Sequence, residues 1–130
     1  MKKEDYIKYW KTNADKDWKR VNLLFKNHDF VFALFCAHLT LEKLLKAHWV
    51  KDNFENHPPK IHNLVYLLAH TNLNIAESDQ AFLEQMNLFQ IEGRYPDYQN
   101  NLHKAYNSVQ TKLIISKADK IRKWLLKGLS

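Results

Sequence analysis

The chain has 130 residues, 45% hydrophobic and 13% aromatic, enough for one ordinary domain to close around a core without disulfides. Its 2 Gly and 3 Pro argue against a turn-rich β sandwich, and the single cysteine, Cys36, excludes an internal disulfide and a cysteine-based zinc cluster. The net charge of +6 is unevenly placed. Residues 1–102 balance 13 basic against 13 acidic side chains, whereas Lys104, Lys112, Lys117, Lys120, Arg122, Lys123 and Lys127 face Asp119 alone in residues 103–130. A helix so charged can attract phosphates or an acidic partner, or can simply be a solvated face.

The opening MKKEDYIKYW is charged and lacks a following apolar run, so no signal peptide is predicted. No stretch approaches the roughly 20 apolar residues that span a bilayer, and no membrane association is expected. Cys36 lies in an apolar run and reads as a buried thiol in a reducing cytoplasm.

In chain order, Ile7, Trp10, Ala14, Trp18, Val21 and Phe25 recur at three- and four-residue steps, predicting a helix over 4–26. Asn27-His28-Asp29 closes it, with Asp29 as N-cap of the next. Residues 30–52 are apolar around most of the helical circumference and predict the central helix, facing the core on one side and another subunit on the other. Pro58-Pro59 then stops helical structure. A short helix is predicted over 62–70 and a loop over 71–76, followed by a helix capped by Ser78 and carrying Phe82, Met86 and Phe89. Gly93 to Asp97 interrupts the pattern. The last helix is predicted over 102–127, with Tyr106, Val109, Leu113, Ile114, Ala118, Ile121, Trp124 and Leu125 on its stripe and Gly128 at its end. One all-α domain over 1–130, an up-and-down antiparallel bundle of four to five helices, is the expected architecture.

Several segments carry a resemblance. The central helix reads Phe35-Cys-Ala-His-Leu-Thr-Leu-Glu-Lys-Leu-Leu-Lys-Ala47. Pro58-Pro59-Lys60-Ile61-His62-Asn63-Leu64 and Arg94-Tyr95-Pro96-Asp97 follow, with Trp10, Ala14 and Asp17 upstream. In this order and spacing they resemble the HEPN family. The resemblance implies a helical bundle, usually a homodimer, often encoded beside a minimal nucleotidyltransferase. It implies one of two roles: a non-catalytic module binding a nucleotide or a nucleotidyltransferase, as in a toxin–antitoxin-like pair, or a metal-independent endoribonuclease toxin. No cofactor is implied. The ribonuclease signature is an Arg, four to six residues, then a His. Here eight residues separate Arg94 from His103, a departure from that pattern.

The binding-module reading is the primary expectation, with a nucleotide or RNA held near Arg94-Tyr95-Pro96. Arg94 offers a planar, permanently charged fork for phosphate, or a structural pairing with Glu42 or Glu92. Tyr95 can stack on a base. In the alternative, Arg94 stabilises the phosphorane charge and His103 moves the proton. His62 and Lys46 are further phosphate-contact candidates, although His62 reads first as a residue at the start of a helix bonded across to the central one. His38, Glu42 and Lys46 share a helical face through their i, i+4, i+8 spacing, which predicts a Glu42–Lys46 ion pair. Two ligands on that face are too few for a metal site. Glu42 and Lys43 are structural or interface candidates. Trp10, Trp18, Trp49 and Trp124 are expected in the core or an interface.

Overall fold

The computed structural model describes residues 1–92 and 106–130. Five helices are present among them, in the order α1 (Lys3–Lys26), α2 (Phe30–Asp52), α3 (Leu64–Ala69), α4 (Glu77–Glu92) and α5 (Ser108–Lys127), with no strand. All-α architecture follows from the helical periodicity and the scarcity of breakers.

α1 and α2 form an antiparallel hairpin. At the turn, Asp29 N–H donates to Leu24 O (2.9 Å) and His28 N–H to Phe25 O (3.0 Å). The reversal requires a left-handed residue, and His28 takes it at φ 59°, a conformation that costs a non-glycine roughly 1 kcal/mol. Asp29 then caps α2 by accepting from Phe32 N–H at 3.4 Å. At the far end Lys3 directs its ammonium protons to Val50 O (2.6 Å), Asn53 O (2.8 Å) and Asn56 Oδ1 (2.9 Å). A cation thereby answers the unpaired carbonyls and negative dipole end of α2.

α2 is buried around most of its circumference, as its near-continuous apolar sequence requires, with Phe32, Phe35, Leu39 and Lys43 along the less covered face. Leu34, Leu41, Leu44 and Leu45 join Leu64, Leu67, Leu83, Met86, Phe89 and Leu125 in one core. α5 runs parallel to α2 and antiparallel to α1. His48 and Lys51 of α2 meet the end of α5, whereas Trp18 and Phe25 of α1 line a groove with Asp119 and Lys112. α4 runs against α5, with Asp79 near Trp124 at one end and Phe89 edge-on to Tyr106 (5.5 Å) at the other. The long helices thus go up, down, up and down.

Three boundaries differ from expectation. α3 starts at Leu64, not His62, because Asn63 takes the N-cap role, accepting from Val65 N–H (3.0 Å) and Tyr66 N–H (3.1 Å). α4 starts at Glu77, so Ser78 lies inside the helix. The Ala76 carbonyl accepts from both Asp79 and Gln80 N–H at 3.0 Å, and Glu77 and Asp79 suit the positive dipole end. α5 starts at Ser108, because Asn107 and Gln110 form a reciprocal capping box (2.9 and 3.2 Å) that leaves Tyr106 before the helix. The part of the predicted last helix over 102–105 lies outside the described residues.

Gly128 ends α5 through close approach, not through a left-handed backbone. A Cβ there would meet His48 Cε1 at 2.8 Å. The His48 ring cannot retreat freely, since its Nε2–H donates to Leu125 O at 2.8 Å inside the core. Gly128→Ala is therefore expected to displace that ring and cost about 1–2 kcal/mol through the lost buried hydrogen bond. Urea unfolding of the variant checks it, and unchanged stability would mean that the end of α5 yields instead.

Candidate functional site

The turn-by-turn spacing of α2 sets the site. His38, Glu42 and Lys46 share one face, which points toward the loop leaving Pro58-Pro59 and toward α4. Glu42 is buried and serves as the hub. Lys46 Nζ donates to its Oε2 at 3.1 Å, as the spacing predicts. His62 Nδ1–H reaches across from the loop and donates to both carboxylate oxygens, at 3.1 and 3.2 Å. That contact fixes the His62 tautomer and ring plane. The ring remains 45% exposed on its other side. His38 Nδ1 stands 3.8 Å from Glu42 Oε1, beyond hydrogen-bond distance. Burial pushes the His38 ring down to about 4, against the pull of Glu42, so it is neutral at physiological pH.

Lys43 points the other way, into the α1–α2 seam. It pairs at 2.6 Å with Asp17, a buried carboxylate that also receives Arg20 at 2.6 Å. Lys43 is thus structural and belongs to an interface within the chain. Cys36 is buried, and burial raises its thiol, which suits a core residue better than a nucleophile.

Beside Lys46 the surface opens into a cleft of about 350 Å³ between the start of α1 and the proline loop. Tyr6, Tyr9, Trp10, His57, Lys46 and Lys60 line it. Tyr6 meets the His57 ring edge-on at 5.2 Å, Tyr9 meets Trp10 likewise at 5.3 Å, and the Lys46 ammonium stands 5.4 Å from the Trp10 ring centre. The proline loop is pinned by an Ile61 N–H bond to Pro59 O at 2.8 Å.

Of the residues picked from sequence, Glu42, Lys46 and His62 converge. Arg94, Tyr95 and His103 lie outside the described residues. Trp10 is half-buried, and its indole forms part of an aromatic cleft. Tyr6, Tyr9, His57 and Lys60 were missed. The available signal was the i, i+3, i+4 spacing of Tyr6, Tyr9 and Trp10 on one helical face, opposite a rigid loop carrying a ring and a lysine.

Comparison with known proteins bears on the family and the fold. The family model described as "HEPN domain" matches residues 7–129. The chain belongs to the HEPN domain family. Among solved structures, this HEPN domain is similar to TT1696 from Thermus thermophilus, with a TM-score of 0.77, 18% identity, and coverage of 93% of this chain and 96% of that one. At that identity the likeness concerns the fold. No curated protein matches the domain. Among the described residues, no helix is long and apolar enough to cross a membrane, and no group of three or more His, Cys, Asp or Glu is arranged to hold a metal ion.

Proposed function

We propose that this HEPN domain is a cytoplasmic, homodimeric binding module that holds a nucleotide in the α1 cleft and partners a minimal nucleotidyltransferase. The observation that carries the nucleotide reading is the cleft itself. Rings from Tyr6, Tyr9, Trp10 and His57 surround a space of about 350 Å³, at the lower end of small-molecule sites, with two lysines at its wall. An aromatic floor stacks a base at about 1–3 kcal/mol, whatever the base. Lys46 is already balanced by Glu42, so Lys60 supplies the cation for phosphate, while the Glu42 hub holds Lys46 and His62 in place. The partner and dimer rest on the motif pattern of the central helix and proline loop.

Calorimetric titration with ATP, AMP and ribose 5-phosphate tests this reading. Saturable binding of the two nucleotides, much weaker binding of the base-free sugar phosphate, and a loss of about 10–100-fold in Trp10→Ala are expected. Absence of binding at millimolar nucleotide would overturn the nucleotide site. Co-purification with a minimal nucleotidyltransferase encoded beside its gene tests the partner. Cleavage of single-stranded RNA in EDTA, lost in Arg94→Ala, would replace the binding-module reading with the ribonuclease one.

A further inference from the structure

A second cleft, sharing no lining residue with the first, lies between the start of α4 and the outer flank of α5. α5 turns Thr111, Ala118, Ile121 and Leu125 inward. Lys117, Lys120 and Trp124 line a space of about 420 Å³, floored by Ile75, Phe82 and the edge of Ile121. Trp124 is 39% exposed, a large indole left at the lip. Lys117 places its ammonium 5.5 Å from the Phe82 ring centre, so its stem covers apolar floor while its charge stays at the rim.

Charge on this helix is not evenly free. Arg122 (2.7 Å) and Lys123 (3.2 Å) both draw on Asp119. Among the described residues, neither Lys117 nor Lys120 has a carboxylate within ion-pair reach. Two of the unneutralised cations of residues 103–130, Lys117 and Lys120, therefore border a concavity with an apolar floor, and this combination decides the occupant. A nucleic-acid strand needs a longer track of cations than two lysines give, and Asp79 stands on the opposite lip. A peptide gains from all three features: apolar side chains fill the floor, carboxylates answer the lysines, and a backbone N–H can donate to Asp79.

We infer that this cleft docks an acidic amphipathic segment of a partner protein. The segment seats an aliphatic or aromatic side chain against Ile121, Phe82 and Trp124, and flanking Asp or Glu residues pair with Lys117 and Lys120. Selection of a random-peptide display library on the intact protein tests this. Enrichment of sequences combining Leu, Ile or Phe with Asp or Glu is expected. Binding of the winning peptide, followed by anisotropy, should weaken with added salt and fall about tenfold or more in Lys117→Glu/Lys120→Glu and in Trp124→Ala. Lys112→Glu, on the same helix but outside the cleft, should bind as the parent does. Thermal melts confirm that each variant is folded. No enriched peptide, a basic or purely polar consensus, or binding indifferent to the cleft variants would overturn the inference. So would single-stranded RNA binding that the lysine variant abolishes.

Discussion

Glu42→Ala should destabilise the domain by about 3–5 kcal/mol, the expected cost of leaving a buried ionic partner uncompensated. Glu42 is buried at the crossing of α2 and the proline loop, and its carboxylate is the only acidic group among the described residues that pairs with Lys46. Without it, the Lys46 ammonium, whose side chain is only 8% exposed, must lose its proton or swing into the α1 cleft. His62 simultaneously loses the acceptor of its Nδ1–H. The substitution therefore links stability to the site: the cleft wall should loosen along with the core, and nucleotide affinity should drop in protein that is still folded. A second variant separates ion pairing from packing. Glu42→Met/Lys46→Met removes both charges at similar volume and should recover most of the lost stability, because a buried ion pair is often matched by well-packed apolar groups. Guanidinium unfolding of the three proteins measures this. A loss below about 1 kcal/mol in Glu42→Ala would show that water reaches the hub and that its charges are effectively surface charges.

Acidification should weaken the fold through His38, well before most carboxylates titrate. In the folded protein the ring stays neutral down to about pH 4, because burial opposes its charged form. In the unfolded chain it accepts a proton near its ordinary 6.5. Between these values the unfolded state binds more protons, so stability is fully present above about pH 6.5 and is lost as pH falls toward 4. The loss for this one residue is about 2 kcal/mol between about pH 7.5 and 5. His48, also pushed down by burial, acts in the same direction. Burial pushes Asp119 up, but hydrogen bonds from Arg122 and Lys123 outweigh it and hold the carboxyl below its usual range, so the stability it contributes is present across this window and is lost only at lower pH. Urea midpoints at about pH 7.5 and 5 should therefore differ distinctly less in His38→Leu than in the parent. Equal acid sensitivity in the two proteins would mean that His38 finds a way to charge inside the fold.

These expectations separate what the linear pattern carried from what it could not. The helices were legible because their information is local. The stripe from Ile7 to Phe25, the apolar circumference of residues 30–52 and the breaking power of Pro58-Pro59 each act within a few turns. The i, i+4 pairing of Glu42 with Lys46 was legible for the same reason. Boundaries were less so, because Asn63, Ala76 and Asn107 compete with nearby residues for the same orphan amides, and hydrogen-bond geometry decides among near-equals.

The sequence by itself determined that this is an all-helical HEPN domain, that α2 is its centre, and that the positive charge collects at its end. Only the tertiary structure decided which side chains meet. Glu42 finds His62 twenty residues away, Asp17 finds Lys43, and Trp10 lies opposite His57 and Lys60 because Lys3 ties the start of α1 to the end of α2. It also decided that Lys117, Lys120 and Trp124 border one concavity with Phe82. Such contacts depend on loop closure and on the rotation of each helix about its axis, set by the whole core, and no local period encodes them.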